Sequence, residues 1–147
     1  MTAQKSPTIL VVEDDPLVAA YVCEVLEEFG YPVSGAASTA PEALSLAERD
    51  KPDIAVLDIR LSGTMTGIDV AELLARRFHT AVIFLSGTSD RRMIDRAEHT
   101  HPVTFLHKPF RPSQLLNAIA TVRDRSREKS STRKGSGALE DIDPFCV

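Results

Sequence analysis

Four apolar runs of this chain end on groups that can do chemistry. TILVVE ends on Glu13 with Asp14 behind it, DIAVLD on Asp58, AVIFLS on Ser86, and VTFLHK on His107 and Lys108. A carboxylate at the end of a buried run is costly unless a cation, a hydrogen-bond donor or a reaction accounts for it. Singly, each residue has a plain structural role: Asp14 or Asp15 caps a helix, Ser86 opens a loop, Lys108 is a solvated charge before Pro109. Their recurrence at equivalent positions points to one site. Carboxylates gathered there repel by about 4 kcal/mol per close pair at an effective dielectric of about 20, and a divalent cation relieves the repulsion. The cation expected is Mg²⁺, which takes one or two carboxylates, keeps several waters and bridges to phosphate oxygens. Phosphate chemistry follows, but the chain has neither GxxxxGK[ST] nor a GxGxxG after its first apolar run, so no glycine cradle holds a nucleotide. A carboxylate can itself be the nucleophile, and Asp58, ending the central run, is the best-placed acceptor.

The elements that position these groups alternate regularly. Residues 8–13, 53–58 and 81–86 are near-continuous Val, Ile and Leu runs, the pattern of parallel strands covered on both faces. Residues 31–37 and 103–108 are weaker strands, and Pro32 assigns the first of them to a sheet edge. Between them lie helical patterns. Asp15 and Pro16 open a helix whose apolar positions recur from Leu17 to Phe29, with Gly30 stopping it. Thr39 and Glu42 have capping-box spacing ahead of a helix to about Asp50. Ile68 to Phe78 forms a third helix, with Ile68, Leu73 and Leu74 inward; residues 89–99 form a short, thinly apolar fourth; a fifth follows Pro112 and buries Leu115, Leu116, Ile119 and Val122. Five βα units with right-handed crossovers imply an α/β fold: a doubly wound, five-stranded parallel sheet of order 2-1-3-4-5, flavodoxin-like. In such sheets ligands collect at the carboxyl ends of the strands beside the switch in strand order, where the acids, Ser86 and Lys108 fall.

At 147 residues, 43% hydrophobic and 26% charged, the chain has the size and composition of one soluble globular domain. No run at the N-terminus suits a signal peptide and none elsewhere suits a membrane span, so a cytoplasmic location is expected. A net charge of −4 gives no general attraction to nucleic acid or anionic lipid, and no DNA binding is expected. Cys23 and Cys146 are too far apart and too few for a disulfide framework or a metal cluster. From residue 127 apolar periodicity ends and Ser, Gly and charge take over, so residues 127–147 are expected to form a disordered, solvated tail; the alternative is that Leu139, Ile142 and Phe145 form a short docking motif.

Over residues 7–126 the chain resembles the receiver domains of bacterial two-component response regulators. ILVVEDDPLV resembles the acidic end of the family's first strand, AVLDIRLSGTMTG its phosphoacceptor strand and loop, VIFLSG its hydroxyl-bearing fourth strand, and FLHKPF its Lys-Pro motif. The resemblance implies that Asp58 accepts phosphate from a histidine kinase or phosphotransfer protein. It further implies that Glu13, Asp14, Asp58 and the backbone carbonyl of Arg60 bind Mg²⁺, and that Ser86 and Lys108 hold phosphoryl oxygens. Phe105 would be the aromatic switch that turns inward with Ser86, and the Lys108–Pro109 bond would be cis. Such a protein is a self-phosphorylating switch and not a conventional enzyme. As a stand-alone regulator, monomeric or dimerising on phosphorylation, it would signal to a downstream protein through its fourth helix, fifth strand and fifth helix. The alternative is a receiver-like interaction module, or a phosphate sink in a phosphorelay. Two features depart from the family pattern: the loop after Asp58 lacks the usual proline and carries one extra residue before Gly67, and position 60 holds an arginine whose side chain is solvated, covers the phosphoryl group or reaches a partner. An aspartate-nucleophile phosphatase would want a carboxylate at that position.

Overall fold

The computed structural model describes residues 6–61, 63, 65–87, 91–100, 102 and 104–135, with side chains in the last helix as far as residue 124. Strands and helices alternate as β1 (Ile9–Val12), α1 (Pro16–Glu28), β2 (Val33–Ala37), α2 (Ala40–Asp50), β3 (Ile54–Asp58), α3 (Gly67–Phe78), β4 (Ala81–Ser86), α4 (Arg91–Glu98), β5 (Thr104–His107) and α5 (Pro112–Gly135). The five strands are parallel, in the order β2-β1-β3-β4-β5, with the strand after Pro32 at an edge as expected.

Alternation along each strand sends side chains to two cores. Leu10, Val12, Ala55, Leu57, Val82 and Phe84 face α2 and α3, with Ala97 of α4. Ile9, Val11, Ile54, Val56, Ile83 and Leu85 face α1 and α5. Full burial of a Leu or Ile side chain contributes roughly 2 kcal/mol, so β1, β3 and β4 form a rigid platform for whatever their ends carry. α4 contributes much less, since Ala97 is its only fully buried residue. Among the described residues no helix is long and apolar enough to cross a membrane.

Several boundaries differ from the sequence expectation for physical reasons. The apolar spacing of α1 runs from Leu17 to Phe29, yet Leu17 is 82% and Phe29 56% exposed, and the buried stripe is Val22, Val25 and Leu26. A thirteen-residue helix is about 20 Å long and a four-residue strand about 13 Å, so the helix ends overhang the sheet. In α3 Leu73 is only half-buried, while Val70 and Ala71 are buried. α5 is helical as far as Gly135, past the residue-127 boundary at which apolar periodicity ends. Its apolar stripe ends at Val122, but residues 123–134 hold no Gly or Pro and half of them are Arg or Lys, which favour helix propagation. Leu139, Ile142 and Phe145 lie outside the described residues.

Candidate functional site

Register brings the reactive strand ends together. Val12 pairs with Leu57, Asp58 with Leu85 and Ser86 with His107, so the residues that follow or end these strands share one rim of the sheet. The backbone N–H of Glu13 donates to the carbonyl of Ala37 (3.0 Å), which prolongs the ladder one residue past β1 and aims the acid at this rim. Directly after it, Asp15 caps α1 by accepting from the N–H of Leu17 (3.0 Å). On the far side, the N–H of Lys108 donates to the carbonyl of Ser86 (2.8 Å), and the Lys108–Pro109 bond is cis, as the resemblance implies.

These elements assemble a compact acidic cluster. One carboxylate oxygen from each of Glu13, Asp14 and Asp58 lies within 4.8 Å of the others. Glu13 and Asp58 are buried. The Lys108 ammonium donates to Glu13 Oε1 at 2.9 Å and to Asp58 Oδ2 at 3.1 Å. The second Asp58 oxygen, Oδ1, accepts from the backbone N–H of Arg60 at 3.1 Å. The second Glu13 oxygen, Oε2, accepts from the N–H of Asp15 at 3.1 Å. Both oxygens of the candidate nucleophile are therefore oriented by donors on separate loops.

Two of the three carboxylates, Glu13 and Asp58, share one lysine, and the charge balance is felt. Loss of water on burial pushes the Glu13 carboxyl up to about 7, against the opposing hydrogen bonds from Lys108 and the Asp15 N–H, and the charge of Asp58 pushes it further the same way. Burial alone would lower the Lys108 ammonium, but its bonds to Glu13 and Asp58 outweigh that and hold it above its ordinary value. With all three acids ionised the group is one divalent charge short of neutrality. An all-oxygen set of carboxylates, one of them unwilling to ionise without further cation, suits a hard ion such as Mg²⁺.

Of the other expected site residues, Ser86 is buried at the end of β4. Phe105 is half-buried and stacks on Phe84, with ring centroids 5.6 Å apart at 25°. Arg60 meets the site through its backbone, and the residue is exposed. His107 shares the strand end but is exposed and stands outside the carboxylate group. Sequence reasoning located the start of α3 to within one residue but missed its cap. Thr66 and Asp69 form a full capping box, with Thr66 N–H to Asp69 Oδ2 at 2.9 Å and Asp69 N–H to Thr66 Oγ1 at 3.3 Å. The T-x-x-D spacing carried that signal. The anticipated box of α2 is half formed: Thr39 Oγ1 accepts from the N–H of Glu42 (3.3 Å), but the Glu42 carboxylate reaches the N–H of Ser38 (2.9 Å) instead of Thr39.

Comparison with known proteins agrees with this geometry. A family model described as the response regulator receiver domain matches residues 9–120. The transcriptional regulatory protein PdtaR of Mycobacterium tuberculosis is 34% identical over 120 residues, covering 82% of this chain and 58% of that protein. The chain therefore spans little more than half of that relative's length. The chemotaxis protein CheY of Thermotoga maritima is 29% identical over 115 residues, covering 78% of this chain and 95% of that protein. The signal receiver domain of a modulated diguanylate cyclase from Desulfovibrio desulfuricans superimposes with a TM-score of 0.80 at 33% identity, covering 84% of this chain and 99% of that one.

Proposed function

Since the chain belongs to the response regulator receiver family, we propose that it accepts a phosphoryl group on Asp58 from a histidine kinase or a phosphotransfer protein, in a reaction that requires Mg²⁺. The observation that carries this reading is the buried Asp58 carboxylate held between Lys108 and the Arg60 N–H, beside Glu13 and Asp14.

Asp58 attacks phosphorus in line as the donor's P–N bond breaks and a P–O bond to the aspartate forms. Glu13, Asp14, Asp58 and the Arg60 carbonyl would hold Mg²⁺, which would supply positive charge to offset that of the acids and the transferred phosphoryl group. The chain's own contribution is mostly positioning. The end of β3 fixes the carboxylate, and the Arg60 N–H and Lys108 limit its rotation. Lys108, already charged and seated, exchanges its bond to Asp58 for a phosphoryl oxygen, while the hydroxyl of Ser86 donates to another. The product loses the carboxylate charge that held Lys108 and gains a dianionic group, and that change biases a two-state element.

The element best suited to respond is α4 with β5 and α5. α4 rests on the core mainly through Ala97, with Met93 packed part-way against it. Phe105 of β5 is half-buried, and Lys108 ties the end of β5 to the acids. A downstream protein would recognise this face.

Intact-mass measurement tests the reading. With a small phosphodonor such as acetyl phosphate and Mg²⁺, the protein should gain a single acid-stable, base-labile phosphoryl group, and a chelator should abolish the gain. A chain that stays unmodified, or is labelled equally well in chelator, would overturn it.

A further inference from the structure

The loop after Asp58 departs from its family's pattern in length and lacks the usual proline, so something else must set its shape. The described ends of that loop are tied together at one point. The N–H of Gly67, the first residue of α3, donates to the carbonyl of Ile59 at 2.8 Å. A Cβ built on Gly67 would collide with the carbonyl oxygen of Asp58 and lie 2.8 Å from that of Ile59. Gly67 is buried and its backbone lies against the backbone of the acceptor itself. Absence of a side chain, not an unusual φ, is what this position requires. The adjacent Thr66–Asp69 box holds the helix start in place, with Thr66 donating both its N–H (2.9 Å) and its hydroxyl (3.2 Å) to Asp69 Oδ2.

We infer that the first turn of α3, through Gly67 and the Thr66–Asp69 pair, is a positioning device for the phosphoacceptor. It presses on the backbone of Asp58 and Ile59 and so sets where residue 60 places its N–H. That N–H in turn holds Asp58 Oδ1 at 3.1 Å. The same peptide chain carries the Arg60 carbonyl that the proposed metal site needs. The inference rests on the proposed phosphorylation of Asp58. It adds that three residues which touch neither the carboxylate oxygens nor the lysine govern how fast that oxygen reacts. A misplacement of about 1 Å at a reacting group can cost on the order of a hundredfold in rate, and a methyl group forced between α3 and β3 must move one of them.

The test compares wild type with Gly67→Ala, Asp69→Ala and the conservative Asp69→Asn, which keeps a side-chain oxygen for Thr66. Circular dichroism and melting curves establish the folded fraction. The rate constant of labelling at saturating acetyl phosphate is then measured across a Mg²⁺ titration, and the Arg60 amide resonance is recorded in metal-free protein. We expect a fall of at least about tenfold for Gly67→Ala and a smaller one for Asp69→Ala. The half-saturating Mg²⁺ concentration should rise and the Arg60 amide should shift in both, with Asp69→Asn returning all three readings toward wild type. A merely structural role predicts lower melting temperatures with an unchanged rate constant in the folded fraction, an unchanged Mg²⁺ requirement and an unmoved Arg60 amide. That result would overturn the inference, and if Gly67→Ala does not fold, Asp69→Ala decides alone. Wild-type protein that is not labelled at all would reject the proposed function, a different outcome from equal labelling of wild type and variants.

Discussion

β3 is flanked by two aspartates, Asp53 just before it and Asp58 at its end, and the molecule treats them in opposite ways. Asp53 accepts from the N–H of Thr8 at 2.9 Å and from the Thr8 hydroxyl at 3.3 Å, and returns its own N–H to the Thr8 carbonyl at 3.0 Å. It is exposed, its side-chain donors in the fold are neutral, and it fastens β3 to the start of β1. Asp58 is buried, shares its surroundings with Glu13 and Asp14, and is held by a lysine that must also serve Glu13. The exposed acid is held by neutral donors beside water, whereas the buried one shares a single lysine with a second carboxylate, an excess of negative charge that an added cation would relieve. The difference is set by the neighbouring strand ends, not by the aspartates themselves.

The largest break in this comparison should come from Lys108→Ala. It removes the ammonium that holds Glu13 and Asp58 and deprives one phosphoryl oxygen of its charged partner, so the labelling rate should fall by about ten- to a hundredfold. Stopped-time mass spectrometry at saturating Mg²⁺ would measure it, and a rate within twofold of wild type would remove Lys108 from the site.

Titration offers the next effect. The folded Glu13 carboxyl is pushed to about 7 from an ordinary value of 4.5, so it binds a proton more tightly in the fold than in the unfolded chain. Its contribution to metal-free stability is therefore fully present below about pH 4.5 and lost as pH rises through about 7. A cation competes with that proton, so Mg²⁺ should bind several-fold more tightly at pH 8 than at pH 6, releasing a proton as it does. Calorimetric titrations in buffers of different ionisation enthalpy would show the release, and Glu13→Gln should abolish the pH dependence. Affinity independent of pH would mean that Glu13 is already ionised without metal.

The smallest effect belongs to the other end of the strand. Asp53→Ala removes two hydrogen bonds from the neutral donors of Thr8 at an exposed position and should cost about 1 kcal/mol in a denaturant melt, with no change in labelling rate. If it slowed labelling as Lys108→Ala does, the two ends of β3 would not be functionally distinct.

Much of this was legible in the sequence because its signals are local and repeated. Periodicity located all five strands, and the Pro32 edge assignment fixed one end of the strand order. The convergence of Glu13, Asp14, Asp58 and Lys108 followed from topology alone, since matching strand ends must meet on one rim. What stayed hidden was of three kinds. Exposure of Leu17 and Phe29 depends on how far α1 overhangs its strands, which an apolar spacing does not encode. Continuation of α5 to Gly135 depends on backbone propensity beyond the last apolar position, and an apolar stripe is blind to that. The close approach of Gly67 to the backbone of Asp58 joins positions nine residues apart in the chain, and a glycine carries no pattern to announce it.

The central claim is that chemistry sits at one end of β3 and architecture at the other. Wild type, Asp58→Asn and Asp53→Asn, each shown to be folded, should be incubated with acetyl phosphate and Mg²⁺, and the modified residue located by peptide mass after borohydride trapping. The account predicts one trapped site at Asp58 in wild type and in Asp53→Asn, and none in Asp58→Asn. Labelling of Asp58→Asn at the wild-type level, or trapping at another residue in wild type, would contradict it.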